Sequence, residues 1–108
     1  MKILVVDDEP AVRSYTGATL TRASFDIELA ADGHEALRLY SERGPFDLVL
    51  TDLEHPGPNG LELRDAILAL NQKQRIGFVS GFPLLEKPFR AKQLLDFVDS
   101  FKADATQS

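Results

Sequence analysis

Hydrophobic positions along this chain fall into two alternating kinds of pattern. Ile3-Leu4-Val5-Val6 is a short β-branched run, which predicts a strand buried on both faces. Asp7-Asp8-Glu9 and then Pro10 follow. Pro at the first helical position, with acidic residues just ahead of it, predicts a helix over about 10–24. The apolar stripe of that helix, Val12, Tyr15, Thr19 and Ala23, is thin. From Phe25 to Ala31 the pattern changes to alternation, with Phe25, Ile27 and Leu29 on one side of a second strand. Asp32, with Glu35 three residues later, predicts an N-cap and capping box. The second helix has Ala36, Leu37 and Tyr40 as its stripe and stops near Gly44-Pro45. Phe46 to Thr51 is a third, buried strand that ends at Asp52. Asn59 and Glu62 repeat the cap signal before a third helix carrying Leu63, Ala66, Ile67 and Leu70. Arg75 to Ser80 is a fourth strand, broken by Gly81-Phe82-Pro83. Ala91, Leu94, Phe97, Val98 and Phe101 recur at helical spacing and predict a last helix.

Strands alternate with helices throughout, which predicts an α/β fold with a parallel sheet and helices on both faces. No repeat, low-complexity stretch or linker interrupts the pattern. One domain over residues 1–103 is expected, with a disordered tail over 104–108. Composition agrees: of 108 residues, 44% are apolar, enough for a core at this length. The net charge of −5 argues against direct nucleic-acid binding, which needs clustered Lys and Arg. The absence of cysteine excludes disulfides, thiolate metal sites and cysteine nucleophiles. The N-terminal apolar run is too short for a signal peptide or a membrane span, so a cytoplasmic location without a membrane partner is expected.

Ligands of open parallel sheets bind at the carboxyl ends of the strands. Asp7, Asp8, Asp52 and Ser80 end three of the strands, and Lys87 follows shortly. Three carboxylates in one crevice repel one another, and a hard divalent cation relieves that repulsion. An all-oxygen ligand set suits Mg2+. A carboxylate can also serve as a nucleophile and form an aspartyl phosphate. A metal on one side and an ammonium group on the other would then stabilise the phosphoryl charge, with a hydroxyl as hydrogen-bond donor.

These residues and their order resemble the receiver domain of two-component response regulators. The resemblance covers nearly the whole chain. It is carried by Asp7-Asp8-Glu9-Pro10, by the Asp-x-x-x-Pro-x-x-Asn-Gly spacing from Asp52 to Gly60, by Ser80, and by Lys87-Pro88-Phe89. It implies a flavodoxin-like doubly wound sheet of strand order 2-1-3-4-5. It further implies that Asp52 is the phosphoacceptor and that Asp7, Asp8 and Asp52, with the backbone carbonyl of Glu54, hold Mg2+. By the same resemblance Ser80 is the switch hydroxyl, Lys87 binds the phosphoryl group, and the bond from Lys87 to Pro88 is cis. The implied phosphodonor is a sensor histidine kinase or a phosphotransfer protein.

The chain departs from the family between Ser80 and Lys87. Only residues 81–86, six in all, separate them. A parallel crossover needs about 10–12 residues or more. The fourth helix is therefore expected to be missing and the fifth strand rudimentary. Leu84 stands where the family usually has an aromatic residue, so the output surface is expected to differ. A homodimer, or a downstream protein docking on the remaining helices, is compatible with this. His55 stands where Met is common. His34 is expected to face solvent, and both histidines fall outside the expected site.

Three functions compete. The leading one is a phosphoacceptor receiver that is not an enzyme beyond its own phosphotransfer and dephosphorylation. The second is a degenerate receiver that serves as an interaction or dimerisation scaffold. The third is an aspartate-nucleophile phosphohydrolase. That class carries a second Asp two residues after the nucleophile, where this chain has Glu54, and no insertion is present to form a substrate pocket.

Overall fold

Among the described residues four strands form one sheet: β1 (Lys2–Val6), β2 (Asp26–Ala30), β3 (Leu48–Thr51) and β4 (Ile76–Phe78). They are hydrogen-bonded in the order β2-β1-β3-β4, all parallel. The helices are α1 (Pro10–Arg22), α2 (Gly33–Arg43), α3 (Gly60–Leu70) and α4 (Ala91–Gln107). This computed structural model describes residues 1–53, 57–79 and 91–107, with side chains in α4 as far as residue 100. The expected missing helix, rudimentary fifth strand and cis Lys87–Pro88 bond fall on residues 80–90, outside the described residues.

The central strands are buried because both of their faces are covered. Ile3, Val5, Leu48 and Leu50 point to one side, where Leu20 of α1 and Leu94 and Val98 of α4 complete a core. Leu4, Val6 and Val49 point to the other, against Ala36, Leu39 and Tyr40 of α2 and Leu63 and Ile67 of α3. Alternating Cβ directions along each strand feed the two cores from one run of apolar residues. This is the doubly wound arrangement that the alternating pattern implies.

The cap signals are realised. Asn59 Oδ1 accepts from the Glu62 N–H and Glu62 Oε1 accepts from the Asn59 N–H, a complete capping box at α3. Asp32 caps α2 by accepting from the Glu35 N–H, but Glu35 accepts from the Ala31 N–H, one residue ahead of the cap. In α2 Leu39, rather than Leu37, is buried beside Ala36 and Tyr40.

Other expectations are corrected. The buried face of α1 is Thr16, Gly17, Thr19 and Leu20, while Tyr15 and Ala23 are exposed. This face is small and partly polar because α1 lies close to β2. A Cβ on Gly17 would sit 3.1 Å from Leu29 Cδ2. Leu29 itself is exposed, and so is Leu70, which ends α3 beyond the edge of the core. β2, β3 and β4 are shorter than expected, since flanking residues leave the ladder, whereas β1 gains Lys2, which pairs with Asp26. The backbone of residues 104–107, expected in a tail, belongs to α4. Ala, Asp and Gln continue a helix without a proline or glycine to stop it.

Candidate functional site

The sheet register builds the acidic pocket. Val6 is the last residue of β1 to pair on both sides, opposite Ala30 of β2 and Thr51 of β3. The next residue on each central strand is an aspartate. The Asp7 N–H donates to the Ala30 carbonyl at 3.1 Å and the Asp52 N–H to the Val6 carbonyl at 3.0 Å. Two carboxylates from segments far apart in sequence therefore leave adjacent strands at the same level. Asp8 follows one residue later in the turn into α1.

One oxygen from each of Asp7, Asp8 and Asp52 lies within 4.8 Å of the others. Asp7 and Asp52 are buried and Asp8 is exposed, so the cluster opens to solvent on one side. Asp7 Oδ1 accepts from the Glu9 N–H at 2.9 Å, which orients one carboxylate from the start of α1. The donors are all oxygens and the residues come from two rigid strand ends. A small hard dication fits such a set and would keep the remainder of its shell as water. The two buried carboxylates could not otherwise sit so close to a third without mutual repulsion.

The loop after Asp52 is held by close backbone approaches. The Gly60 N–H donates to the Leu53 carbonyl at 2.8 Å. A Cβ on Gly60 would meet the Asp52 carbonyl oxygen at 2.5 Å and Leu53 Cα at 2.9 Å. Only glycine lets α3 begin this near the aspartate. On the other side a Cβ on Gly33 would meet the Pro58 carbonyl oxygen at 2.3 Å. Gly57 has φ +77°, and the His34 ring occupies the space where its Cβ would stand. His34 is exposed as expected, yet it lies against this loop.

Of the six residues the sequence singles out, the structure brings Asp7, Asp8 and Asp52 together. Glu54, Ser80 and Lys87 lie outside the described residues, as does His55. One neighbour of the cluster was missed: Arg13 of α1 donates from Nη1 to the Asp7 carbonyl at 2.8 Å. Its signal was present, because a cation one helical turn beyond Glu9 faces back toward the acidic turn.

The response regulator receiver domain model matches residues 3–94. The chain belongs to the response regulator receiver domain family. PilR, a response regulator protein of Pseudomonas aeruginosa, is 34% identical over 90 residues, covering 83% of this chain and 20% of that protein. The chain thus spans about a fifth of that relative's length. Sporulation initiation phosphotransferase F of Bacillus subtilis is 28% identical over 93 residues, 86% of this chain and 74% of that one. Among solved structures, the receiver domain of the hybrid histidine kinase CckA is 33% identical with a TM-score of 0.86, covering 94% of this chain and 98% of that one. This receiver domain is thus a phosphoacceptor domain of two-component signalling with a flavodoxin-like sheet. Among the described residues, no helix is long and apolar enough to cross a membrane.

Proposed function

We propose that this receiver takes a phosphoryl group on Asp52 from a phosphohistidine of a sensor histidine kinase or phosphotransfer protein, with Mg2+ bound at Asp7, Asp8 and Asp52. The observation that carries the reading is the convergence of the three carboxylates within 4.8 Å at the carboxyl edge of the sheet. The relatives support the donor class: one solved neighbour is the receiver of a hybrid histidine kinase and one curated relative is a phosphotransferase.

An oxygen of the Asp52 carboxylate attacks phosphorus in line. The new O–P bond forms as the P–N bond to the donor imidazole breaks, and the departing imidazole takes up a proton. Burial of Asp52 keeps bulk water from its carboxylate, while the solvent-open side at Asp8 admits the donor. The close approach at Gly60 and the Asp52 N–H bond to Val6 fix the nucleophile before the donor arrives, which removes orientational freedom from the reaction. The bound dication supplies charge neutralisation for the transferring oxygens. The backbone carbonyl of Glu54 would be a further protein ligand of it, as the family resemblance implies. By the same resemblance Lys87 would pair with the phosphoryl oxygens and the Ser80 hydroxyl would donate to one of them. The domain acts as a signalling module whose only reactions are its own phosphotransfer and dephosphorylation.

Incubation with Mg2+ and acetyl phosphate, followed by intact-mass measurement, tests the assignment. The parent gains one phosphoryl group, and Asp52→Asn or addition of EDTA abolishes the gain. Equal labelling of Asp52→Asn would remove Asp52 from the reaction. Steady release of phosphate from small esters would favour a phosphohydrolase instead.

A further inference from the structure

We propose that Arg13 is a built-in counter-cation of the acidic pocket, one that sets how tightly the pocket takes a divalent cation. Arg13 projects from the second turn of α1, is partly buried, and reaches the pocket by donating to the main-chain carbonyl of Asp7 at 2.8 Å. Among the described residues its guanidinium makes no ion pair with a carboxylate. The hydrogen bond uses one of its five N–H groups. The bond ties the charge to the residue whose carboxylate belongs to the cluster, and the other two carboxylates lie within 4.8 Å of that one. The partly buried guanidinium is thus held against Asp7, one member of the cluster, where its charge is screened less than in bulk solvent.

Two consequences follow, of opposite sign for the two states of the pocket. Without metal, three negative charges stand together, and Arg13 stabilises the fold by offsetting part of their repulsion. With a dication bound, the same guanidinium repels it. Linkage then requires that removing the charge of Arg13 tightens metal binding, because the empty pocket loses more than the filled one. A residue that only tied the turn in place would have the opposite effect: its loss would loosen the pocket and weaken metal binding.

Arg13→Gln keeps a hydrogen-bond donor and removes the charge, while Arg13→Lys keeps the charge. Two measurements at low salt decide the matter. The first is melting in EDTA of the parent, Arg13→Gln, Asp8→Asn and the double variant. Arg13→Gln lowers the melting temperature of the parent and lowers it less in the Asp8→Asn background. This cycle needs no metal, so it stands even if the Mg2+ reading above fails. The second is calorimetric titration with MgCl2, which rests on that reading. Arg13→Gln binds Mg2+ about threefold to tenfold more tightly than the parent, and Arg13→Lys binds like the parent. A Gln variant that folds only when Mg2+ is present supports the proposal. Three results overturn it: additive losses in the cycle, weaker Mg2+ binding by Arg13→Gln, or a Gln variant that folds in neither condition. A parent that binds no Mg2+ strikes the metal reading alone and leaves the cycle to decide on Arg13.

Discussion

The two edges of the sheet handle buried polar groups in opposite ways. At the amino edge, Gln74 is buried ahead of β4. Its Oε1 accepts from the Tyr40 hydroxyl at 2.8 Å and from the Phe46 N–H at 3.1 Å. Its Nε2 donates to the Arg75 carbonyl at 3.0 Å, and Asn71 donates to the Tyr40 oxygen at 3.2 Å. These groups are neutral and complementary, and they lock the ends of α2 and α3 to the starts of β3 and β4. At the carboxyl edge, Asp7, Asp8 and Asp52 are alike in charge and crowded within 4.8 Å. A satisfied polar network adds to stability, whereas crowding of like charges detracts from it to the extent that cations do not offset the repulsion. The same sheet thus carries a neutral joint at one edge and the candidate site at the other.

The sharpest way to break this contrast is at the backbone that supports the site. Gly60→Ala forces a Cβ against the Asp52 carbonyl and Leu53 Cα, neither of which is a flexible side-chain end. A loss of about 3 kcal/mol in urea unfolding is expected, together with slower labelling by acetyl phosphate. Unchanged labelling would show that the start of α3 does not position the nucleophile.

Gln74→Leu comes next. It leaves the Tyr40 hydroxyl and the Phe46 N–H without their acceptor and costs about 2 kcal/mol. Labelling at Asp52 proceeds at the parent rate, because the network lies at the opposite edge. If labelling falls in proportion to stability, the two edges are not separable.

The smallest effect has the opposite sign. In EDTA, Asp52→Asn raises stability by about 1 kcal/mol, since one of the crowded charges is gone. Saturating Mg2+ stabilises the parent more than this variant. A variant less stable than the parent in EDTA would mean that repulsion does not dominate the carboxyl edge.

Much of this architecture is legible in the residues themselves. The run Ile3-Leu4-Val5-Val6, the cap residues Asp32 and Asn59, and the spacing of Leu94 and Val98 report local preferences that the tertiary structure leaves intact. The acidic trio was equally readable, because each aspartate directly follows a predicted strand and a parallel sheet carries such residues to one edge. The face of α1 was not. Thr16 and Gly17 are buried by the nearness of β2, and no periodicity of apolar residues announces a face built from small ones. Leu70 and Tyr15 match the helical pattern yet stay exposed, because burial depends on what stands opposite.

The sequence by itself determined which segments are strands and helices, where two of the helices start, and which carboxylates stand at strand ends. Those properties depend on side chains within a few residues of one another. Only the tertiary structure decided that Asp7 and Asp52 leave their strands at one level and that Gly33 admits the backbone of Pro58. Register and close approach depend on pairing between residues far apart in the chain, and no local pattern encodes them.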